Sequence, residues 1–197
     1  MRAARILGVA AVLAAAFASP TPAADAGRGR TLAEERHCTS CHGADGRSAT
    51  PGVPSLAGMP EQVVVLQMII MREGLRVVPA MMEFAKGLTD SQIEDLGAFF
   101  AGLPPGPPDD RGPPDPARMR AGAALSERLR CGACHLPDYR GREQMPRLAG
   151  QREDYLLHAL TQYRDNQRTG TDTQMSGLLY GLSDADLAAL AHYMAQQ

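Results

Sequence analysis

Apolar residues recur at intervals of three and four positions near the end of each half of the chain. This spacing places them on one face of an α-helix, so it predicts a helix with one buried side in each half. The segments around them, GLTDSQIEDLGAFFAG and GLSDADLAALAHYMAQ, align without a gap, so the chain repeats its final helix. The first stripe is Ile93, Leu96, Phe99 and Phe100, and the second is Leu187, Leu190, Tyr193 and Met194.

Both final helices begin with residues that cap helices. Thr89 followed by Gln92 has the pattern of a capping box, in which two side chains satisfy backbone N–H groups of the first turn. Ser183 followed by Asp186 is a looser version of this pattern. The two helices are therefore predicted to start at equivalent positions.

Two further features precede the final helix in each half, in the same order. The first is a Pro-x-Leu-Ala-Gly step, at 54–58 and again at 146–150. The second is a predicted helix, at 61–72 and again at 152–164. The repetition indicates an internal duplication rather than one larger domain.

A proline-rich stretch separates the two copies. Residues 102–117 contain seven prolines, which remove backbone donors and favour an extended polyproline conformation. We interpret 104–116 as a semi-rigid linker. The predicted fold is all-α, with two tandem small domains at 25–103 and 117–197.

The first 24 residues have the pattern of an export signal, with an early positive charge and an apolar run at 6–18. That run is shorter than the roughly 20 apolar residues that span a bilayer as a helix. We therefore predict an exported mature chain with no membrane span, an uncleaved anchor being the alternative. The charges are Arg2 and Arg5, and the cleavage positions that fit follow Ala18, Ala24 or Ala26.

Composition argues against nucleic-acid binding. It also indicates that each core needs a stabilising element besides its side chains. The formal net charge is -2, so no strong positive field attracts nucleic acid. There is no Trp, and each half has about 80 residues, a size that rarely stabilises itself without disulfides, metals or another added element. We expect such an element in both domains.

The sequences RHCTSCHG and LRCGACHL carry the chemistry of the two halves. Each contains two cysteines and a histidine in the order C-x-x-C-H. A single motif of this kind is weak evidence, but two at matching positions of an exported duplication are strong evidence for attached c-type haem. The residues are Cys38, Cys41 and His42 in the first half, and Cys131, Cys134 and His135 in the second.

A disulfide, a thioredoxin-like redox pair and a zinc site all fit the motif less well than haem does. A disulfide would close a very small loop and leave the following histidine without a role. A thioredoxin-like pair needs a βαβ context, and no strand pattern is visible. A zinc site built from both C-x-x-C pairs would have to bring together residues about 90 positions apart.

Haem iron bound by His42 or His135 needs a sixth ligand or an open face. A distal methionine is the pairing that raises the reduction potential, and Met81 and Met175 lie at equivalent positions, seven residues before a Leu-Thr/Ser-Asp step. Met82 is adjacent to Met81 and remains an alternative ligand.

The second nitrogen of each histidine also needs a partner. A metal-bound imidazole usually donates its other N–H to a carbonyl or carboxylate. The carbonyls of Pro54 and Pro146, twelve and eleven residues after their histidines, are placed to accept it.

With these motifs the sequence resembles the class I c-type cytochromes, and most closely the two-domain cytochrome c4 family. The resemblance implies two covalently attached haem c groups with His/Met ligands, a periplasmic location, and electron transfer without substrate chemistry. The implied partners are a redox donor and acceptor, either a membrane respiratory complex or a periplasmic dehydrogenase. The departures are the linker and HLPDYRG, which replaces the HGADGRS type of loop.

One segment favours a second interpretation. VVVLQMII, at 63–70, is apolar nearly all round, which indicates burial on more than one face. Packing between the two domains would account for it. A permanent partner subunit would also account for it, as in the similar dihaem subunit of flavocytochrome c sulfide dehydrogenase. A haem enzyme such as a peroxidase is a third possibility, which would require one iron to lose its methionine.

Overall fold

The protein is built from helices throughout its described part. The computed structural model describes residues 23–168 and 173–197, so most of the predicted signal segment lies outside the described residues. Within those ranges there is no strand, and a single isolated bridge joins Arg142 and Met145. Two tandem all-α domains joined by the proline-rich linker are therefore confirmed.

Within the described residues, each domain contains five helices in the same order. In the first domain they are α1 (Ala26–Glu35), α2 (Thr39–His42), α3 (Glu61–Arg72), α4 (Pro79–Ala85) and α5 (Asp90–Gly102). In the second domain they are α6 (Pro116–Arg128), α7 (Cys131–His135), α8 (Glu153–Arg164), α9 (Thr173–Leu179) and α10 (Asp184–Ala195). The helix predicted at 61–72 has the observed bounds, and α8 begins one residue after the predicted Arg152, which caps it.

Both final helices start with a complete capping box. The Thr89 hydroxyl accepts a hydrogen bond from the Gln92 N–H at 3.2 Å, and the Ser183 hydroxyl accepts one from the Asp186 N–H at 3.2 Å. The Asp186 carboxylate in turn accepts from the Ser183 N–H at 3.0 Å. The second box is therefore as complete as the first, and the looser version expected from its sequence is not observed.

The first and last helices of each domain cross at a glycine. A Cβ on Gly29 would lie 1.9 Å from the carbonyl oxygen of Asp95, and a Cβ on Gly122 would lie 2.2 Å from that of Ala189. Neither position can hold a side chain unless the helices move apart. The stripes predicted on α5 and α10 form the core beside these crossings, with Ile93 and Leu187 fully buried.

A reciprocal pair of hydrogen bonds joins the two domains. The Gln151 side chain accepts from the Ser55 N–H at 2.8 Å and donates to the Ser55 carbonyl at 2.9 Å. Beside it, the buried guanidinium of Arg152 donates to the Ser48 carbonyl at 3.1 Å. Since Ser48 and Ser55 belong to the first domain, these polar groups fix its position against the second.

The linker is bound to both domains. Asp110 forms an ion pair with Arg152 at 2.9 Å, and Arg111 donates to the carbonyl of Ala195 at 3.2 Å. On the other side, Pro105 packs against Gly58 of the first domain. The predicted semi-rigid linker is thus held along its length rather than extended into solvent.

No helix in the described residues could span a membrane. None of them combines the length and the apolar composition that crossing a bilayer requires.

Candidate haem sites

The first C-x-x-C-H motif is folded as a short helix against the first core. Cys38 precedes α2, is partly buried, and packs against the core cluster that includes Leu32 and Leu96. Cys41 is exposed, and His42, at the end of the helix, is buried. The helical turn therefore presents both thiols and the imidazole within one short segment.

The second motif has the same arrangement in the second core. Cys131 begins α7 and packs against the cluster that includes Leu187, while Cys134 is exposed. His135 ends the helix and is buried. The duplication in the sequence is thus also a duplication of local structure.

Both histidines donate a ring N–H to the predicted proline carbonyl. His42 Nδ1 lies 2.8 Å from the Pro54 carbonyl oxygen, and His135 Nδ1 lies 2.9 Å from that of Pro146. Burial lowers the pKa of each imidazole, although the hydrogen bond to the carbonyl acts in the opposite direction. Because a carbonyl oxygen can only accept, Nδ1 carries a proton in each ring, and in the neutral ring the lone pair is on Nε2.

These residues fit a covalently attached haem. His42 Nε2 is buried and has no hydrogen-bond partner, which is unfavourable unless an electrophile such as iron accepts its lone pair. All four cysteines are free thiols, so neither motif forms a disulfide. Across residues 23–168 and 173–197, no three His, Cys, Asp or Glu side chains gather as a metal site, so a shared zinc site has no support.

The candidate methionines lie on matching helices. Met81 is the third residue of α4, and Met175 is the third residue of α9. Met81 packs against the same core cluster as Cys38, and Met175 against the same cluster as Cys131. Met82 also contacts the first core, but its equivalent on α9 is Ser176, so the matched helices favour Met81.

Two arginines stand out in the structure although the sequence pattern did not single them out. Arg76 and Arg168 follow α3 and α8 and meet at Gln67, where the domains touch. A signal for them exists in the sequence, because Arg-x-x-x-Arg occurs at the same place in each half, ending in Arg76 and in Arg168.

Comparison with known proteins also divides the chain into two domains of one family. The family described as Cytochrome c matches residues 26–104 and again 119–197. The chain is 33% identical over 179 residues to cytochrome c4 of Pseudomonas aeruginosa, covering 87% of this chain and 88% of the relative. The alignment therefore includes both C-x-x-C-H motifs.

Two further similarities are to a second relative and to a solved structure. The chain is 31% identical over 207 residues to a thiosulfate dehydrogenase electron acceptor of Thiomonas intermedia, covering 98% of this chain and 91% of the relative. It also superposes on the crystal structure of reduced recombinant cytochrome c4 from Pseudomonas stutzeri with a TM-score of 0.79. That match has 30% identity and covers 88% of this chain and 98% of the other.

Proposed function

The chain belongs to the cytochrome c family and carries two of its domains, and on this premise we propose that it is a periplasmic carrier of single electrons between redox proteins. Family membership implies two covalently attached haem c groups, one in each domain. The haem supplies a reversible one-electron change between ferric and ferrous iron. The observation that carries the assignment of residues is the buried, unpartnered Nε2 of His42.

Each site would be held by four side chains of its own domain. Thioethers would form at Cys38 and Cys41 in the first domain, and at Cys131 and Cys134 in the second. His42 and His135 would each supply one iron ligand, and Met81 and Met175 would supply the other. The matched positions of the methionines on α4 and α9 support this set.

The protein groups around each iron ligand have a positioning role. The hydrogen bond from Nδ1 to a proline carbonyl fixes the tautomer and the orientation of the imidazole. Burial of His42 Nε2 keeps water from the nitrogen that would face the iron. A neutral imidazole and a thioether sulfur add no charge to the site, so the less charged ferrous state is favoured and the potential is raised.

Binding of carbon monoxide to the reduced holoprotein tests the methionine ligands. With both irons six-coordinate, the gas leaves the visible spectrum unchanged. Met81→Ala should open the first haem to the gas and Met175→Ala the second, whereas the control Met82→Ala should open neither. Ready binding by the unmodified protein would refute the carrier assignment and favour a haem enzyme.

We further propose that the chain performs no substrate chemistry of its own. The two relatives described above are named as a cytochrome c4 and as an electron acceptor. The test is turnover of hydrogen peroxide by the reduced protein. Multiple turnovers at a rate well above that of free haem would contradict the proposal.

The periplasmic location rests on the N-terminal segment, which has the charge and apolar pattern of an export signal. Its residues 1–22 lie outside the described part of the chain. Sequencing the N-terminus of the haem-loaded protein, isolated from its native cells, tests this directly. A mature chain that begins after Ala18, Ala24 or Ala26 is expected, and one that retains Arg2 would contradict export with cleavage.

A second candidate function is electron acceptance from a periplasmic dehydrogenase that oxidises an inorganic sulfur compound. It is favoured by the relative named as a thiosulfate dehydrogenase electron acceptor, which aligns with 98% of this chain. Mixing the oxidised protein with such a dehydrogenase and thiosulfate in a stopped-flow instrument tests it. Reduction that depends on both the enzyme and thiosulfate is expected, and its absence would leave the general carrier role intact.

The apolar helix α3 lies in the first core and also contacts the second domain. One side of α3 lies in the first core, where Val64, Met68 and Met71 are buried. Gln67, on the same helix, accepts a hydrogen bond from Arg168 of the second domain. This hydrogen bond shows that α3 contacts the second domain, so packing between the domains accounts for part of its second face.

A further inference from the structure

The second domain has a hydroxyl beside the first cysteine of its motif, and the first domain lacks one there. Ser126 lies on α6 five residues before Cys131, and the residue five before Cys38 is Ala33. Both side chains are buried, Ser126 being 2% exposed and Ala33 0%. The two cysteines pack against their own cores in the same way. The matched helices therefore place a polar group in one copy where the other has a methyl group.

A second hydroxyl holds the first one in place. The Tyr139 hydroxyl lies 2.8 Å from the Ser126 hydroxyl, and both residues are buried. The ring of Tyr139 packs edge-on against Tyr193, which limits the directions in which its hydroxyl can point. The residues at the places of these tyrosines in the first domain are Gly46 and Phe99, which carry no hydroxyl. The first copy therefore has no counterpart of this hydroxyl pair at the matched positions.

The Ser126 hydroxyl acts on the sulfur of Cys131. Burial raises the pKa of the Cys131 thiol, and a hydrogen bond from Ser126 acts in the opposite direction. Burial also raises the pKa of the Cys38 thiol, but there the opposing influences are a backbone hydrogen bond and the charge of Arg36. Tyr139 belongs to the core cluster against which Cys131 packs. The two hydroxyls and the sulfur therefore lie together in the second core.

A thioether at Cys131 would fix the direction of these hydrogen bonds. Sulfur bonded to two carbons has no proton to donate, so it can only accept. Ser126 would then donate its hydroxyl proton to the sulfur, and its oxygen would accept the hydroxyl proton of Tyr139. Both O–H dipoles would point their positive ends toward the sulfur. In a buried site such a chain is more effective than in water, because each hydrogen bond polarises the next.

We propose that Ser126 donates a hydrogen bond to the Cys131 thioether sulfur, that Tyr139 orients it, and that this pair raises the reduction potential of the second haem only. The hydrogen bond withdraws electron density from the sulfur and hence from the ring to which the sulfur is attached. Lower electron density at the iron favours the ferrous state. The sulfur of Cys38 lacks this influence, since Ala33 stands in place of the serine. The two haems would thereby differ in their affinity for an electron although their ligands are the same.

Loss of either hydroxyl should weaken the affinity of the second haem for its electron. We expect Ser126→Ala to raise the ferric-to-ferrous ratio of that haem at a fixed ambient potential by roughly three- to fivefold, within the range that the loss of one hydrogen bond allows. Tyr139→Phe keeps the ring and removes only the hydroxyl, so the expected rise has the same direction and is smaller. Because Tyr139 acts through Ser126, the double variant should show no larger rise than Ser126→Ala alone.

The experiment is a redox titration of the holoprotein in which each haem is followed separately through its haem-methyl NMR signals. The test variants are Ser126→Ala, Tyr139→Phe and the two combined. Leu129→Ala is the control, because Leu129 packs against the same core cluster and carries no hydroxyl. A second readout is the carbon-13 chemical shift of the Cys131 Cβ in the reduced protein. It responds to a hydrogen bond at the sulfur and does not depend on the stability of the domain.

The expected result is a shift of the second haem in each test variant, while the first haem, and both haems in Leu129→Ala, change by less than about twofold. The Cys131 Cβ signal should move in Ser126→Ala and stay in place in Leu129→Ala. The inference is overturned if both haems shift equally, if the second haem does not shift, or if Leu129→Ala reproduces the effect. A larger rise in the double variant than in Ser126→Ala would overturn the orienting role of Tyr139. The inference rests on the proposed attachment of haem at Cys131, which the mass of the holoprotein and two one-electron steps in the unmodified protein test separately.

Discussion

The loops that follow the two haem histidines take a similar course with different residues. In the first domain Gly43 and Gly46 have φ of 87° and 75°. At the equivalent positions of the second domain Leu136 and Tyr139 have φ of 70° and 53°. Glycine adopts this region freely, whereas a leucine or tyrosine there is strained by about 1–3 kcal/mol. One copy therefore has an unstrained loop and the other a strained one.

Hydrogen bonds to one carbonyl in each loop explain why the two loops follow the same backbone course. The Gly46 carbonyl accepts from the N–H groups of Leu56 and Ala57, at 2.7 and 3.0 Å. The Tyr139 carbonyl accepts from the two equivalent N–H groups, at 2.8 and 3.1 Å. These bonds hold the loop against the Pro-x-Leu-Ala-Gly step, whose proline carbonyl orients the histidine. The geometry of the iron ligand thus constrains the backbone more than it constrains the side chains.

The second loop gains contacts that offset its strain. The Tyr139 hydroxyl lies 2.8 Å from the Ser126 hydroxyl in the core, and its ring packs edge-on against Tyr193 at 5.8 Å. In the first domain a Cβ on Gly46 would lie 2.9 Å from both the Ala57 nitrogen and a Leu103 methyl. The contacts that the Tyr139 side chain makes in the core therefore offset the strain of its backbone.

The largest effect is expected from giving the first loop a side chain. In Gly43→Ala the new Cβ would lie 2.1 Å from the Arg47 carbonyl oxygen, so the backbone must move. We expect a loss of about 3 kcal/mol or more in the free energy of unfolding of the first domain. Leu136→Ala is the matched control and should cost less than half as much. Urea unfolding, followed by NMR signals of each domain, measures both, and equal losses would contradict the comparison.

A smaller effect is expected from removing the hydroxyl that anchors the second loop. Tyr139→Phe leaves the buried Ser126 hydroxyl without its partner, at a cost of about 1–2 kcal/mol. Ser126→Ala in the same protein should recover part of this loss, because no unpaired hydroxyl then remains. A double-mutant cycle of unfolding free energies measures the coupling. Strictly additive losses would mean that the hydrogen bond contributes nothing.

The smallest expected effect is a gain in the free energy of unfolding rather than a loss. Leu136→Gly should relieve strain at φ 70°, while glycine costs part of that gain by adding freedom to the unfolded chain. The net expectation is a stabilisation of the second domain by about 1 kcal/mol. The same unfolding experiment measures it. Destabilisation would show that the partly buried leucine side chain outweighs the strain of its backbone.

Much of each site followed from the sequence because its signals are local. The C-x-x-C-H motifs and the helical periodicity lie within short segments, and the repetition singled out Met81 and Met175 as the predicted methionine ligands. The proline carbonyls were predicted because a metal-bound histidine needs a second hydrogen bond. The structure confirms this, since the carbonyl oxygens lie 2.8 and 2.9 Å from the histidine Nδ1 atoms. The fold and the cofactor were predicted on this basis.

The contact between the domains could not be predicted. Ser55 and Gln151 are 96 residues apart, and nothing in either segment indicates the other. The bound linker and the meeting of Arg76 with Arg168 at Gln67 depend on the same relative placement. The positive φ of Leu136 and Tyr139 was also hidden, since both residue types normally avoid that region. Long-range packing decides these features, and it leaves no local pattern.

The unpartnered nitrogen of His42 also affects the order of events when the protein is made. A folded chain without its cofactor leaves that nitrogen buried and unsatisfied, at a cost of about 1–3 kcal/mol. Attachment of haem removes this penalty in the folded form, where the haem can also be buried and reached by the distant Met81 ligand. Cofactor loading and folding of the first domain are therefore coupled. A chain that failed to receive its haem would remain less stable and more open to proteases than the completed protein.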